Sequence, residues 1–402
     1  MKKKILPAII GLGYVGLPVF LRLQRKFKTI GYDIDKKRVI SLNKKIDHNK
    51  EFKPNNLRIL NRSEITFDKK KIKSTNFYII CVPTPIFENK RPNLGPLISA
   101  TRAISKIIKK GDIIFYESTV APGTTEKMIE ILELKSKMKE GKDFCVGYSP
   151  ERINPGDKKN VIEKINKIVA FEHKNNSEIL RIKKVYKNLS KKIIFSNKIK
   201  EAETAKVIEN IQRDLNIAFI NEILVFSRKF GLDFKKIYNL ASSKWNFVRF
   251  KPGLVGGHCL PVDPYYLSNF SLSKNFKLKT VLAGREVNEK MVEFSVDQIK
   301  REVSKNFQDK KILLMGLSYK PNVSDIRNSL SLKIYQKIKK KCKNTYAFDP
   351  LCTKKDQIIY KINNSLKDEK YDLAVILTKH KIFKNVIKDL MHKKIKILNL
   401  FT

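Results

Sequence analysis

Through the first half of the chain, short apolar runs alternate with longer stretches in which apolar positions return every three or four residues. Residues 5–10, 29–32, 77–82, 113–117, 144–148 and 167–170 have the length of strands, and most are apolar almost throughout, as strands buried on both faces are. The alternation predicts a parallel sheet covered by helices. Between residues 201 and 230 the period lengthens: Ala205, Ile208, Ile211, Leu215, Phe219 and Leu224 recur at spacings of three to five, and Gly231 stands where a C-cap would end the run. One long helix is expected there, with a helical middle region continuing to about residue 305. The strand–helix alternation then restarts, with strands at 312–315, 345–348, 373–377 and 395–400 and a helix near 330–341. A second, smaller α/β domain is expected.

At 402 residues and 42% hydrophobic content the chain can bury two or three cores, which excludes a disordered tail protein. Its net charge is +45, from 84 Lys and Arg against 39 Asp and Glu, a balance that raises nucleic acid as a partner. The basic residues are spread along the whole length, however, and clusters such as 2–4, 69–71, 339–341 and 393–394 lack interleaved aromatics. They read as a solvated basic surface that would also favour an anionic substrate, and no nucleic-acid partner is expected. The five cysteines, Cys81, Cys145, Cys259, Cys342 and Cys352, are widely spaced and form no CxxC pair, so a reducing, cytoplasmic setting is expected rather than a disulfide framework. No stretch reaches the roughly 18 uninterrupted apolar residues of a membrane span, so no membrane insertion is expected.

Gly11-Leu12-Gly13-Tyr14-Val15-Gly16 follows the first strand and precedes a helical run. The first glycine permits a tight turn, the second lets a pyrophosphate approach the backbone, and the third allows close helix packing. Asp33 ends the next strand, where a carboxylate accepts hydrogen bonds from an adenosine ribose, and NAD is the expected cofactor. Lys36 and Arg38 nearby leave an opening for NADP. Pro83 and Thr84 follow one strand, and Ser118 and Thr119 another, placing both pairs to line the cofactor crevice beyond the strand C-termini. Thr119 is the stronger candidate, since Pro122-Gly123-Thr124 makes a turn that would present its hydroxyl; Thr84 also fits an ordinary loop. The turn after residue 315, Gly316-Leu317-Ser318-Tyr319-Lys320-Pro321, lacks the full glycine pattern, which favours a nucleotide other than a dinucleotide there.

Three further groups carry chemistry. The proline-bracketed loop Ser149-Pro150-Glu151-Arg152-Ile153-Asn154-Pro155-Gly156 could hold a base and substrate contacts rigidly, or simply be a salt-bridged surface loop. Lys206, Asn210 and Arg213 share a face of the long helix, a stripe that suits a cleft or equally a solvated face. In Gly256-Gly257-His258-Cys259-Leu260-Pro261-Val262-Asp263 a thiol lies beside two glycines and four residues before a carboxylate. That setting favours a nucleophile over a small buried hydrophobe, and Lys206 would favour its thiolate. A metal on His258, Cys259 and Asp263 is a poor alternative, because adjacent residues rarely point at one ion; His258 is expected to support the loop.

The order GLGYVG, CVPTP, ESTVAPGTTE, SPERINPG, EAETAKVIENIQRDLN, GLVGGHCLPVDPYYL and GLSYKPNVSDIRNS resembles the UDP-glucose/GDP-mannose dehydrogenase family across nearly the whole chain. The resemblance implies two Rossmann-like doubly wound α/β domains, at 1–198 for NAD and 306–402 for a UDP-sugar, joined by a long central helix and helical middle domain at 199–305. It implies a homodimer or larger homo-oligomer, and two successive oxidations of a sugar C6 alcohol to a carboxylate. Cys259 would form a thiohemiacetal and then a thioester; Lys206, Asn210 and Asp263 would stabilise the oxyanion and position water; Glu151 would be the base of hydrolysis, with Thr119 helping to hold the water. Lys320 and Arg327 match positions that contact the nucleotide sugar, as does the segment from Phe250 through Lys251 and Gly253 to Gly257. Glu151, Arg152, Ile153, Asn154, Lys206, Asn210 and Arg213 complete the implied substrate contacts. Val262 stands where the glucose and GDP-mannose branches carry Lys, and the GGHC and VDPYYL pattern is similar to the branch acting on UDP-linked 2-acetamido sugars. UDP-N-acetylglucosamine or UDP-N-acetylgalactosamine is the implied substrate, for surface polysaccharide synthesis, with UDP-N-acetylmannosamine or UDP-glucose as the alternative. A non-catalytic NAD-binding regulator of the same fold is the distant alternative, against which the intact set of Cys259, Lys206, Asn210, Asp263 and Glu151 argues.

Overall fold

The computed structural model describes residues 4–49, 51–153, 162–172, 175–303, 306–366 and 370–401, so Asn154 lies outside the described residues. The chain forms two compact units, one of residues 1–208 with 265–274 and one of residues 209–264 with 275–402.

Among the described residues the first unit holds an eight-stranded sheet, β1 (Pro7–Ile10), β2 (Ile30–Tyr32), β3 (Glu64–Thr66), β4 (Phe77–Ile80), β5 (Asp112–Tyr116), β6 (Phe144–Tyr148), β7 (Lys167–Phe171) and β8 (Ile193–Ser196). The spatial order is β3-β2-β1-β4-β5-β6-β7-β8, so the chain reverses direction across the sheet between β1 and β4. Such a switch point opens a crevice beyond the strand C-termini. Alternate residues of each strand enter opposite cores: Phe77 and Phe115 pack with Phe20 and Tyr186, while Tyr78 and Tyr116 pack with Leu97 and Met128. That double burial explains the nearly continuous apolar runs.

The expectation of a parallel sheet holds from β3 to β6 and then fails, because β7 pairs antiparallel with β6, Gly147 opposite Phe171. β3 and β8 also carried no clear apolar signal. β3 buries only Ile65, and β8 lies at the edge of the sheet with Ile194 and Phe195 exposed, so neither needs a run of apolar residues.

The expected long helix runs from Ile199 to Lys229, beginning in the first unit and ending in the second. Its apolar positions are divided: Ile211 and Leu224 are buried, whereas Ile208 and Phe219 are exposed. In the second unit it is accompanied by the helix Lys279–Val303, where Gly284 lets Leu215 approach; a Cβ at that glycine would lie 2.5 Å from the leucine methyl. A five-stranded parallel sheet follows, β9 (Ile312–Met315), β10 (Thr345–Phe348), β11 (Ile362–Asn363), β12 (Leu373–Ile376) and β13 (Ile397–Asn399), in the order β11-β10-β9-β12-β13. The two sheets solve their first turn alike. Asp33 beyond β2 accepts the Leu12 amide at 2.7 Å, and Asp349 beyond β10 accepts the Leu317 and Ser318 amides at 2.8 and 3.2 Å.

Candidate active site

In the glycine turn after β1 each glycine has a separate reason. Gly11 adopts a φ of +91°, and a Cβ on Gly16 would lie 1.8 Å from the Gly11 carbonyl oxygen. A Cβ on Gly13 would meet nothing within 4 Å, leaving open backbone for a diphosphate, and the helix Gly16–Leu23 carries no side-chain cap on its first amides. Tyr14 and Val15 complete the turn between them. Arg38 donates its Nε to the Leu12 carbonyl at 3.0 Å and pairs with the buried Asp47 at 2.7 Å. Its charge is therefore satisfied inside the protein rather than offered to a 2′-phosphate, which fits NAD over NADP.

The loops beyond β4 and β5 are tied together. Ser118 donates its hydroxyl to the Val82 carbonyl and Thr84 to the Thr119 carbonyl, each at 2.6 Å, and Tyr266 donates its hydroxyl to the Thr84 carbonyl next to Pro83. Beyond Thr119 the helix Thr124–Ser136 starts at Gly123, and its cap comes from the central helix. Glu203 accepts the Gly123 amide at 2.6 Å, the Thr125 amide at 2.8 Å and the Thr125 hydroxyl at 2.7 Å. Burial pushes this carboxyl upward and those hydrogen bonds pull it back. Glu203 thereby joins the Thr119 loop to the helix one turn ahead of Lys206, a role the sequence pattern did not single out.

Glu151 follows β6. Its Oε1 accepts the amides of Arg152 and Ile153, both at 2.6 Å, and its Oε2 lies 3.6 Å from Lys167 Nζ. Arg152 donates its guanidinium to the Asn166 carbonyl at 2.9 Å, which braces the loop.

On the central helix Lys206 and Asn210 are one turn apart and both buried, while Arg213 is exposed and stands apart from them. In the second unit Asn210 donates an amide N–H to Asp263 Oδ2 at 2.5 Å. Asp263 opens the helix Asp263–Leu272, and the Cys259 carbonyl accepts the amides of Val262 and Asp263 at 3.0 and 2.9 Å. The cysteine thus sits on the turn feeding a helix N-terminus. Cys259 is exposed, whereas Cys81, Cys145, Cys342 and Cys352 are buried.

The flanking glycines are required by what covers them. A Cβ on Gly256 would lie 2.8 Å from the Asn328 carbonyl oxygen, and one on Gly257, at φ +91°, would lie 2.7 Å from the Tyr319 ring. Asn328 in turn donates to the Gly257 carbonyl at 3.2 Å. His258 supports the same contact: it faces Asp325 at 3.5 Å, and Asp325 also holds Arg327, whose guanidinium nitrogens lie 3.0 and 2.6 Å from the two carboxylate oxygens. Although burial raises the Asp325 carboxyl, the hydrogen bonds from His258 and Arg327 hold it well below the usual range. Arg327 remains largely exposed on this anchor, and Lys320 lies half-buried in the same loop, its carbonyl accepting from Ser318 at 3.0 Å.

The segment entering the cysteine turn is held by residues that the sequence pattern passed over. Asn221 pairs with the peptide of Gly253 in both directions, accepting its amide at 2.8 Å and donating to its carbonyl at 3.0 Å. Asn288 bridges Asn221 to Asp214, and Asp214 is paired with the buried Arg285 at 2.5 Å. Phe250 is fixed through its carbonyl by Tyr238 at 2.8 Å, while Lys251 is exposed. Polar residues at 210, 214 and 221 repeat at four and seven, a buried polar stripe that could have been read from the helix period. Replacing Asn221 with alanine is expected to free the Gly253 peptide and raise KM for the nucleotide sugar about tenfold, with kcat changed less. Steady-state kinetics checks this; an unchanged KM would remove Asn221 from the loop's support.

Among the described residues no cluster of three or more His, Cys, Asp or Glu could hold a metal, and no helix is long and apolar enough to cross a membrane.

A dinucleotide turn at the switch point of one sheet, a second doubly wound sheet, a long helix that lies between them in the sequence, and an exposed thiol on a glycine turn define a family. The chain belongs to the UDP-glucose/GDP-mannose dehydrogenase family, whose NAD binding domain matches residues 4–190, central domain residues 200–290 and UDP binding domain residues 313–399. It is an NAD-dependent nucleotide-sugar dehydrogenase. The chain is 39% identical to the UDP-N-acetyl-D-glucosamine 6-dehydrogenase of Salmonella typhi over 388 residues, covering 94% of this chain and 91% of that protein. It is 38% identical to the enzyme of the same name from Pseudomonas aeruginosa, covering 96% and 92%. The solved structure of UDP-D-ManNAc dehydrogenase from Pyrococcus horikoshii superposes with a TM-score of 0.87 at 29% identity, covering 98% of this chain and 95% of that one.

Proposed function

We propose that this enzyme oxidises the C6 alcohol of a UDP-2-acetamido sugar, UDP-N-acetylglucosamine or UDP-N-acetylgalactosamine, to the uronic acid in two steps through a Cys259 thioester. The observation that carries the chemistry is the exposed Cys259 on a helix-feeding turn, with Asp263 and Asn210 bonded beside it. Identity of 39% and 38% to two UDP-N-acetyl-D-glucosamine 6-dehydrogenases supports the sugar, as does a buried Val262 where a lysine would mark other branches.

NAD, when bound, accepts the hydride at each oxidation. In the first the alcohol loses a hydride and a proton to become the aldehyde. The Cys259 thiolate then adds to the aldehyde carbon, giving a thiohemiacetal whose oxygen carries the developing charge. Lys206 supplies a cation to that oxygen, and Asn210, with one N–H committed to Asp263, still has a second to donate. Loss of the second hydride leaves a thioester, which water opens as Glu151 takes the proton, with Thr119 and Asp263 placing the water. Lys320, Arg327, Arg213, Arg152, Ile153 and Asn154 serve the nucleotide sugar with the segment from Phe250 through Lys251 and Gly253 to Gly257. The residue ranges 1–198, 199–305 and 306–402 divide the labour as cofactor, helical and nucleotide-sugar portions.

The enzyme works in the cytoplasm as a homodimer or larger homo-oligomer. Phe219, Phe226, Phe230 and Val248 are exposed, and Trp245 is 91% exposed, an apolar surface that a second copy would cover. Light scattering should give at least twice the 46.7 kDa chain mass; a monomer at micromolar concentration contradicts it.

Incubation with NAD and, in parallel, UDP-N-acetylglucosamine, UDP-N-acetylgalactosamine, UDP-N-acetylmannosamine and UDP-glucose tests the sugar. Fastest NADH formation with one of the first two is expected. Preference for UDP-N-acetylmannosamine or UDP-glucose would move the enzyme to another branch, and no turnover with any would leave a non-catalytic NAD-binding protein.

A further inference from the structure

We propose that Lys167 is a positioning residue for Glu151, fixing its carboxylate from behind and supplying the cation that faces its open oxygen. The proposal rests on the reading of Glu151 as the base of thioester hydrolysis. Lys167 is the first residue of β7, and β7 runs antiparallel to β6. A parallel strand would have delivered its first residue to the far edge of the sheet. Running backwards, β7 begins at the edge where β5 and β6 end, and so brings an ammonium to Glu117 and Glu151.

The three side chains are nearly sealed from solvent, with 4% of Lys167, 0% of Glu117 and 10% of Glu151 exposed. Lys167 donates to Glu117 Oε2 at 2.9 Å, and Tyr186 donates its hydroxyl to Glu117 Oε1 at 3.1 Å. Both oxygens of Glu117 are therefore filled. Glu151 differs between its two oxygens: Oε1 accepts two amides, whereas Oε2 is buried with no hydrogen bond among the described residues and has the Lys167 ammonium 3.6 Å away. Buried acceptors are normally satisfied. Oε2 is thus the oxygen left to receive a proton, and the ammonium behind it fixes where the carboxylate sits.

The groups facing this pair come from four elements. Glu117 follows β5, Tyr186 lies on the helix Asn176–Lys187, Cys81 follows β4, and Arg152 follows Glu151 with its guanidinium turned to the Asn166 carbonyl. Burial, reinforced by Glu117, pushes the Cys81 thiol and the Tyr186 phenol well up, so both stay neutral. Burial lowers Lys167, but Glu117 and Glu151 more than offset it, leaving the ammonium at about 12 and charged throughout the working range. Burial raises Glu117 while Lys167 pulls it down. In the hydrolytic step the water O–H bond breaks and its proton passes to Glu151 Oε2 while the water oxygen bonds to the thioester carbon. The C–S bond then breaks, and its electron pair leaves on the Cys259 sulfur.

Lys167→Gln takes away the positive charge 3.6 Å from the Glu151 carboxylate, so the acid limb of the kcat profile should move upward. The test is kcat and KM between about pH 5.5 and 9 on the full chain with NAD and UDP-N-acetylglucosamine, or whichever of the four sugars is oxidised fastest. For Lys167→Gln the acid limb is expected to rise by about one pH unit or more, with KM little changed, and Lys167→Arg should restore it toward wild type. Should Lys167→Gln fail to fold because Glu117 is left buried and unpaired, the double variant Glu117→Gln/Lys167→Met removes both charges and should show a smaller upward move, because the Glu117 anion leaves together with the cation. A folded Lys167→Gln or double variant with the wild-type acid limb, alongside a Glu151→Gln variant that has lost turnover, would overturn the proposal. Full turnover in Glu151→Gln would instead sink the assignment of the base, and this proposal with it.

Discussion

Cys259→Ser is expected to lower uronate formation by about 10⁴-fold or more, the scale on which removing a nucleophile acts, while NAD affinity stays near that of the wild type. On the proposed route the first oxidation needs no thiol, so residual NADH should come from aldehyde formation. Selective chemistry offers an independent check, because Cys259 is the exposed cysteine and the other four are buried. Brief alkylation of the native enzyme should label Cys259 and stop turnover, with prior incubation with the nucleotide sugar protecting it. Uronate produced at the wild-type rate by Cys259→Ser would end the thioester account.

The largest expected loss of stability falls on Arg285→Ala. Arg285 and Asp214 are each about 1% exposed and paired at 2.5 Å, and Asn288 shares the same carboxylate. Removing the arginine leaves a buried carboxylate without its cation, a change that costs about 3–5 kcal/mol. Burial already raises the Asp214 carboxyl, and Arg285 is the chief group pulling it down. Its folded-state affinity for a proton therefore exceeds the unfolded one, more so in the variant. Stability linked to that proton is present below the unfolded value of about 4 and lost as pH rises through the folded one. The deficit of Arg285→Ala should accordingly shrink toward acid and grow toward neutrality. Urea unfolding at both ends of that range checks the magnitude and the sign; a loss under about 1 kcal/mol at neutral pH would mean that water reaches Asp214.

How much of this was legible in the sequence followed from burial. Strands sealed on both faces, such as β4 and β5, need apolar residues at nearly every position and announced themselves. Edge strands such as β8 do not, and the direction of β7 is set by pairing that no local pattern encodes. The site divided along similar lines. Turn chemistry was readable: Gly11, Gly16, Gly256 and Gly257 are where a side chain would strike backbone or ring, and local spacing carries that information. The supports were not, because Glu203, Lys167 and Asn221 act on segments 78, 16 and 32 residues away, as with Thr125, Glu151 and Gly253. A polar residue at an otherwise apolar helix position was the available signal for Asn221; Lys167, at the head of an apolar strand, looked like an ordinary strand boundary.

On the proposed route one enzyme carries a sugar through two oxidations on a single cysteine. The most direct test of that route is the yield of NADH from a limiting amount of UDP-N-acetylglucosamine, or the preferred sugar of the four, with NAD in excess and the product identified by mass. About two NADH per sugar and a UDP-uronic acid are expected, with no free aldehyde accumulating. One NADH per sugar, with the aldehyde as the final product, would contradict it.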